Sequence, residues 1–315
     1  MWPASTAANC AASVPGSWWT MNRRCRRSQR RDWGSTPRRS WPNLATTTSA
    51  SPTCAPAAFL EVEAMSEAPD YLIDVGGLHN LRAVDSYAAA GGRMRPSRLY
   101  RSGAWELVTE RGRAWLDANV KTVIDLRHPD EVNGAVSSRR GPPPTGLVAH
   151  SIFRADVSMA EFVSELNSLS GDGISSERYL DYLKVGAAER FARAVEILAD
   201  ESSYPVLVNC TAGKDRTGLL IAMVMDLIGA SDEDIGTEYE RSNAGIDGLI
   251  AYLAGVGRVP QGIDAEVRAR MATPAERMRR FLQGVRAEYG SVRNLLGNEG
   301  VTEATFNALR ERLVD

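Results

Sequence analysis

The segment Val206-Leu207-Val208-Asn209-Cys210-Thr211-Ala212-Gly213-Lys214-Asp215-Arg216-Thr217-Gly218 limits what this chain can fold into more than any other stretch. Its first three residues are wholly apolar, as expected of a strand covered on both faces of a mainly parallel sheet. The run from Leu219 to Leu227 that follows reads as a helix buried on all sides. Between them a short loop feeds a helix N-terminus, where backbone N–H groups lack intrahelical partners and the helix dipole adds partial positive charge. A phosphate placed there meets both. Gly213 lets the loop backbone approach the anion without a Cβ in the way. Arg216 adds a planar fork of donors that matches two phosphate oxygens at once.

The same field acts on Cys210. A free thiol ionises near ~8.5, and helix N-termini with neighbouring cations bring that into roughly the 3.5 to 7.5 range, so Cys210 is predicted to be a thiolate able to attack phosphorus. Thr217 is placed to donate its hydroxyl to the sulfur and ease its departure from a phosphocysteine. Asp215, inside the loop, is the most economical proton donor to a leaving oxygen and acceptor from water. Taken singly, Cys210 reads as a small buried side chain and Gly-Lys-Asp-Arg as a solvated turn; the conjunction with Thr217-Gly218 and an apolar helix carries the catalytic reading. The nucleotide P-loop pattern is excluded, since Asp215 stands where Ser or Thr binds magnesium and Val208 where its first glycine belongs. Two rivals are a phosphate-binding module with little turnover and a rhodanese-like sulfur-transfer loop. Thr217-Gly218 after Arg216 argues against the second.

Charge divides the chain near residue 60. Residues 1–60 hold eight Arg, no Lys and one acid, Asp32; taking that +7 from the formal −2 of the chain leaves −9 for residues 61–315. The leader also carries five of seven Trp and three of four Cys (Cys10, Cys25 and Cys54), with no helical or strand period. A basic arm, a targeting peptide and disorder are the candidate readings, and the composition favours disorder. No apolar run follows its arginines as a secretory signal requires. Met65 is an alternative start, which mass spectrometry of the native N-terminus would decide. Residues 1–65 are accordingly set apart from a 66–315 domain. No stretch approaches the ~20 apolar residues of a membrane span. Cys210 is then the sole cysteine of the body, which suits a reducing compartment. A cytoplasmic location is expected, with export lacking a signal peptide left open, and no nucleic-acid partner is expected.

Along the body, Tyr71 to Val75, Arg98 to Arg101, Val120 to Leu126 and Leu147 to Phe153 read as strands. Thr109 caps a predicted helix through Asn119. Phe191, Ala194, Val195 and Leu198 share one helical face, as do Met278, Phe281, Leu282, Val285 and Tyr289, and Phe306, Leu309 and Leu313. Strands interleaved with helices predict an α/β fold with a mainly parallel central sheet flanked by helices.

Cys-Thr-Ala-Gly-Lys-Asp-Arg-Thr-Gly resembles the signature of the bacterial atypical tyrosine phosphatases that also resemble lipid phosphatases. Asp74-Val75-Gly76-Gly77-Leu78, Leu99-Tyr100-Arg101-Ser102-Gly103, Val123-Ile124-Asp125-Leu126-Arg127 with Glu131, and Tyr289-Gly290-Ser291-Val292 are similar to that family's other landmarks in the same order. The resemblance covers roughly residues 70–315. It implies a tyrosine-phosphatase-like fold and metal- and cofactor-free hydrolysis of phosphotyrosine, sometimes phosphoserine or phosphothreonine, and phosphoinositides. It further implies Cys210 as nucleophile, Arg216 as phosphate clamp, Asp215 as acid and base, and Lys214 as an extra anion contact, with Thr211, Ala212, Gly213 and Thr217 completing the phosphate loop. A helical lid is implied over residues 244–272. The family usually has His immediately before the nucleophile, whereas this chain has Asn209. An Asn amide can bond the loop backbone but carries no charge, which predicts a less stabilised thiolate and lower activity.

Three further residues are candidates for supporting roles. Asp125, ending a predicted strand where α/β sites gather, either orients Arg216, serves as the acid, or is a cap or ion pair with Arg127. Asp156 is a third candidate acid, with an exposed loop carboxylate as its ordinary reading. Arg101 is either a further phosphate contact or a salt-bridge residue.

Overall fold

The computed structural model describes residues 69–315 apart from 155, 171–173 and 260–264. The expectations for the leader and for Met65 lie outside the described residues. Val206, Leu207 and Val208 are each at most 2 % exposed and form β7 (Val206–Asn209), the middle strand of a five-stranded sheet. The sheet runs β1 (Arg82–Ala83), β4 (Leu99–Ser102), β7, β5 (Thr122–Asp125) and β6 (Leu147–Ala149). Every pairing is parallel except that of β1 with β4. A small hairpin, β2 (Ala88–Ala89) and β3 (Gly92–Arg93), stands apart. Side chains alternate across a strand, so Val206 and Val208 enter the larger core with Phe191, Val195 and Leu220, while Leu207 joins Tyr100, Trp105, Leu116 and Val123 beneath the other face. That double burial is why the strand is apolar throughout.

Helices cover both faces. Under the smaller core lies α1 (Glu110–Asn119), capped by Thr109 as its sequence predicts, with the Thr side chain accepting from Gly112 N. α2 (Pro129–Ala135) follows β5, and α3 (Met159–Ser170), α4 (Ser176–Tyr182) and α5 (Ala188–Ala199) follow β6. After β7 come α6 (Asp215–Leu227), α7 (Asp232–Glu240), α8 (Ile246–Gly255), α9 (Ala265–Arg270), α10 (Ala275–Tyr289), α11 (Val292–Asn298) and α12 (Glu303–Leu313). The periodic residues of α5, α10 and α12 are buried as read, Tyr289 only partly. Among the described residues no helix is long and apolar enough to cross a membrane.

Tyr71 to Val75 does not form the expected strand. Its backbone pairing with the segment beyond the glycine turn is a bond from Ile73 N to Leu81 O at 2.9 Å, and Val75 packs on the smaller core as loop. β5 and β6 are shorter than the apolar runs that contain them; Leu126, Ile152 and Phe153 lie past the strand ends and pack on the large core. The helix expected from Thr217 begins at Asp215, so Asp215 and Arg216 both lie in its first turn. In register, Asn209 faces Ser102 on one side and Asp125 on the other. The carboxyl ends of the three central parallel strands therefore converge where Cys210 begins the loop, the edge at which open α/β sheets bind ligands.

Candidate active site

Cys210 follows β7 directly and is 2 % exposed. The carbonyls of the next four residues are all held from behind. Thr211 O accepts from Ala104 N at 3.1 Å and lies 3.0 Å from His79 Nε2. Asn80 Nδ2 donates to Ala212 O at 3.2 Å and Gly213 O at 2.9 Å, and Arg101 Nη2 donates to Gly213 O at 2.7 Å and Lys214 O at 3.2 Å. Among the described residues none of the backbone N–H groups from Thr211 to Lys214 donates within the protein. Peptide carbonyls and amides face opposite ways, so fixing four carbonyls outward leaves the donors for an anion.

The anchors are themselves anchored. Arg82 Nε donates to Glu238 Oε1 at 2.8 Å, and Arg82 Nη1 donates to Asn80 Oδ1. Arg101 Nη1 donates to the other Glu238 oxygen. Arg82, Arg101 and Glu238 are all buried. Arg101 is thus a salt-bridge residue whose second nitrogen supports the loop, rather than a side chain aimed at phosphate. Gly213 adopts φ +64°, and a Cβ there would lie 2.3 Å from Ser102 O. Its glycine is required by approach to the end of β4, a closer constraint than approach to an anion.

Arg216 pairs bidentately with Glu131, Nη1 to Oε2 at 2.5 Å and Nη2 to Oε1 at 2.8 Å, with its guanidinium 5.3 Å from the Phe153 ring centre. Glu131 also accepts from Thr211 Oγ1 at 2.7 Å and, through a capping box at the start of α2, from His128 N at 3.0 Å. Burial works against its charge, but the Arg216 guanidinium and these hydrogen bonds hold its pKa at about 2. Burial likewise opposes the charge on Arg216, and the pull of Glu131 and of the Cys210 sulfur outweighs it, so the guanidinium stays charged. In the sequence Glu131 stands among the landmarks only. The available signal was its spacing, three residues after His128 with Pro129 between, which marks a helix start; nothing local announced the link to Arg216.

Asp215 Oδ1 accepts from the Tyr179 hydroxyl. Lys214 is buried, and its Nζ donates to Met271 O at 2.5 Å and lies 3.9 Å from Asp215 Oδ2. Thr217 Oγ1 and both amide atoms of Asn209 are buried with no hydrogen-bond partner among the described residues. The expected bonds from Thr217 to sulfur and from Asn209 to the loop are therefore not made. Asp125 is 3 % exposed and committed elsewhere: Arg127 Nη2 donates to it at 2.6 Å and Trp105 Nε1 at 3.1 Å. Its ion-pair reading is the one the geometry gives, and Arg216 turns to Glu131 instead. Asp156 is a loop carboxylate 74 % exposed, 3.7 Å from Arg154. Residues 244–272 bring Ile246, Leu249 and Met271 against Ala212 of the loop, and Arg258 Nη2 donates to Glu131 O at 2.9 Å.

Residues 73–315 match the model of the tyrosine phosphatase family. The chain is 30 % identical over 279 residues to the triple specificity protein phosphatase PtpB of Mycobacterium tuberculosis, covering 75 % of this chain and 97 % of that one. It is 28 % identical over 227 residues to a putative tyrosine-protein phosphatase of Cupriavidus necator, covering 70 % and 80 %. A shorter match, 32 % over 72 residues, reaches 23 % of this chain and 26 % of an inositol diphosphatase of Arabidopsis thaliana. A strand, a cysteine-headed anion loop and an arginine in the first helical turn, joined to a match over nearly the whole described body, place this chain in the tyrosine phosphatase family.

Proposed function

We propose that the chain is a metal-independent phosphatase that hydrolyses phosphotyrosine, and with it phosphoserine, phosphothreonine or phosphoinositides, through a phosphocysteine. The observation that carries this reading is the set of loop N–H groups left undonated around Cys210, with Arg216 in the adjoining turn. Substrate phosphate would take those donors together with the Arg216 fork, which must turn from Glu131 to do so. Cys210 Sγ then forms a bond to phosphorus as the ester P–O bond breaks, and Asp215 gives the leaving oxygen its proton. Water next attacks phosphorus, the S–P bond breaks, and Asp215 takes the proton back. Asp215 is preferred to Asp125, which is locked to Arg127, and to Asp156, which is out in solvent.

The breadth of substrate rests on relatives whose names include a triple specificity phosphatase and an inositol diphosphatase. The segment 244–272, from which Ile246, Leu249 and Met271 pack on Ala212 and Met271 O accepts from Lys214, is proposed as a lid that opens to admit substrate. A reducing, cytoplasmic location fits a body with one cysteine. Release of phosphate from an aryl phosphate, abolished in Cys210→Ser, is the direct test; a panel of phosphopeptides and inositol lipids then assigns the substrate. Binding without turnover is the second reading, favoured by the unpartnered Asn209 amide. Retention of phosphate binding in a wild-type protein that releases none from any ester would select it.

A further inference from the structure

Tyr179 lies on α4, 36 residues from Asp215, yet its hydroxyl donates to Asp215 Oδ1. Its oxygen is 2.7 Å from the hydroxyl of Tyr239 on α7, and Tyr239 accepts from Arg277 Nη1 on α10 at 3.4 Å. Each phenol has one proton. Tyr179 gives its proton to the bond with Asp215, so its oxygen accepts from Tyr239, whose own oxygen is left to accept from Arg277. The chain therefore points one way, from guanidinium to carboxylate. Tyr179 and Tyr239 are 0 % and 1 % exposed. Burial, followed by the Asp215 charge, pushes both phenols well above their ordinary range, so neither releases its proton at neutral pH. Gly218 makes room for this arrangement, since a Cβ there would lie 2.9 Å from Tyr239 Cδ2.

We propose that Tyr179, itself held by Tyr239 and Arg277, is a positioning residue that engages Asp215 Oδ1 and leaves Oδ2 to exchange the catalytic proton. This rests on the reading of Asp215 as the acid. A carboxyl turns about a soft, nearly two-fold torsion, and a donor fixed to one oxygen removes that freedom. In the first step the S–P bond forms, the ester P–O bond breaks and the Oδ2 proton passes to the leaving oxygen. In the second a water oxygen bonds phosphorus, S–P breaks and the water proton passes to Oδ2. The phenol protons stay where they are throughout.

Tyr179→Phe keeps the ring, its edge contacts with Phe281 and Tyr239 and the core, and removes only the donor. The experiment measures kcat and KM for phosphate esters of increasingly basic leaving groups in wild type, Tyr179→Phe, Asp215→Asn and the double variant, with circular dichroism confirming the fold. For Tyr179→Phe the expected result is less than about a 2-fold change with an acidic phenol as leaving group. A fall of about 10-fold is expected for an alkyl phosphate, a fraction of the 10²–10⁴ that general acid catalysis supplies, with KM unchanged. In the Asp215→Asn background Tyr179→Phe should add nothing, because its effect runs through the missing carboxyl. Tyr239→Phe, one bond further out, should act in the same direction and less. Losses equal across leaving groups, or additive with Asp215→Asn, overturn the proposal while leaving Asp215 as the acid. If Asp215→Asn itself shows no dependence on the leaving group, the acid assignment falls and the positioning role falls with it.

Discussion

Acid should weaken the rear support of the phosphate loop by a calculable amount. His79 Nε2 lies 3.0 Å from Thr211 O. Burial pushes its pKa down from 6.5 to about 4, the Thr211 bond resisting and the Arg127 charge adding to the fall. The ring is therefore neutral in the fold at pH values where the unfolded chain already protonates it. Its contribution to stability is complete above pH 6.5, is lost as pH falls between 6.5 and about 4, and falls no further below that. At 1.36 kcal/mol per pKa unit the loss is about 2 kcal/mol at pH 5 and about 3 kcal/mol at pH 4. Urea unfolding at pH 7.5, 6 and 5 would measure it against His79→Gln, whose amide can still donate to the Thr211 carbonyl but does not titrate. Wild type should lose about 2 kcal/mol more than the variant between pH 7.5 and 5. Curves that stay parallel within about 0.5 kcal/mol, well under the linkage expected of a shift this size, would mean that His79 is not held neutral and the reasoning is refuted.

Two further outcomes follow from the loop geometry. Gly213→Ala must hold a Cβ at φ +64° and 2.3 Å from Ser102 O; it should cost about 2 kcal/mol or more in urea unfolding and lower kcat/KM by about 100-fold through displacement of the loop. Glu131→Gln should be less stable than wild type by about 2–3 kcal/mol at pH 7, because a carboxylate whose pKa is depressed from 4.5 to about 2 contributes stability above pH 4.5 that is lost as pH falls towards 2. The gap should narrow by pH 3, while calorimetry should find inorganic phosphate binding no weaker, since the Arg216 fork no longer has to leave a charged partner; weaker binding would assign Glu131 to holding Arg216 in its working position.

Strand, loop and buried helix were legible because each is a local pattern. Val206 to Val208 is apolar on both faces, Leu219 to Leu227 has no polar stripe to expose, and the residues between them are those an anion loop needs. The supports of that loop were not legible, since they depend on which distant segments the sheet brings together. β1 lies beside β4 and β4 beside β7, so His79, Asn80 and Arg101 meet a loop more than 100 residues later, with Arg82 behind Asn80. In the sequence His79 is a lone histidine among leucines and Arg82 an arginine in a short strand; neither carries a spacing that points to Thr211 or Glu238. Arg101 stands out by position, and its bonds to Gly213 O and Lys214 O show that it works on carbonyls. The Tyr71 to Val75 misreading has the same origin. An apolar pentapeptide before two glycines can cover a sheet face as readily as join its edge, and which it does depends on the neighbour strand.

The loop is braced unevenly, and α7 explains how. Its adjacent residues Glu238 and Tyr239 reach the loop along separate routes. Glu238 works through Arg82, Asn80 and Arg101 on the carbonyls of Ala212, Gly213 and Lys214, and Tyr239 works through Tyr179 on Asp215. Among the described residues the side chains of Asn209, at the end of β7, and of Thr217, in α6, have no such brace: both side-chain amide atoms of Asn209 and the Thr217 hydroxyl are buried without a hydrogen-bond partner. Each unpaired buried polar group costs about 1–3 kcal/mol, so these positions draw on stability supplied elsewhere in the fold. Arg216, in the first turn of α6, bears on the Cys210 sulfur, while among the described residues the Asn209 side chain contributes no hydrogen bond. Any change that loosens α7 should therefore be felt at the carbonyl supports and at the acid together.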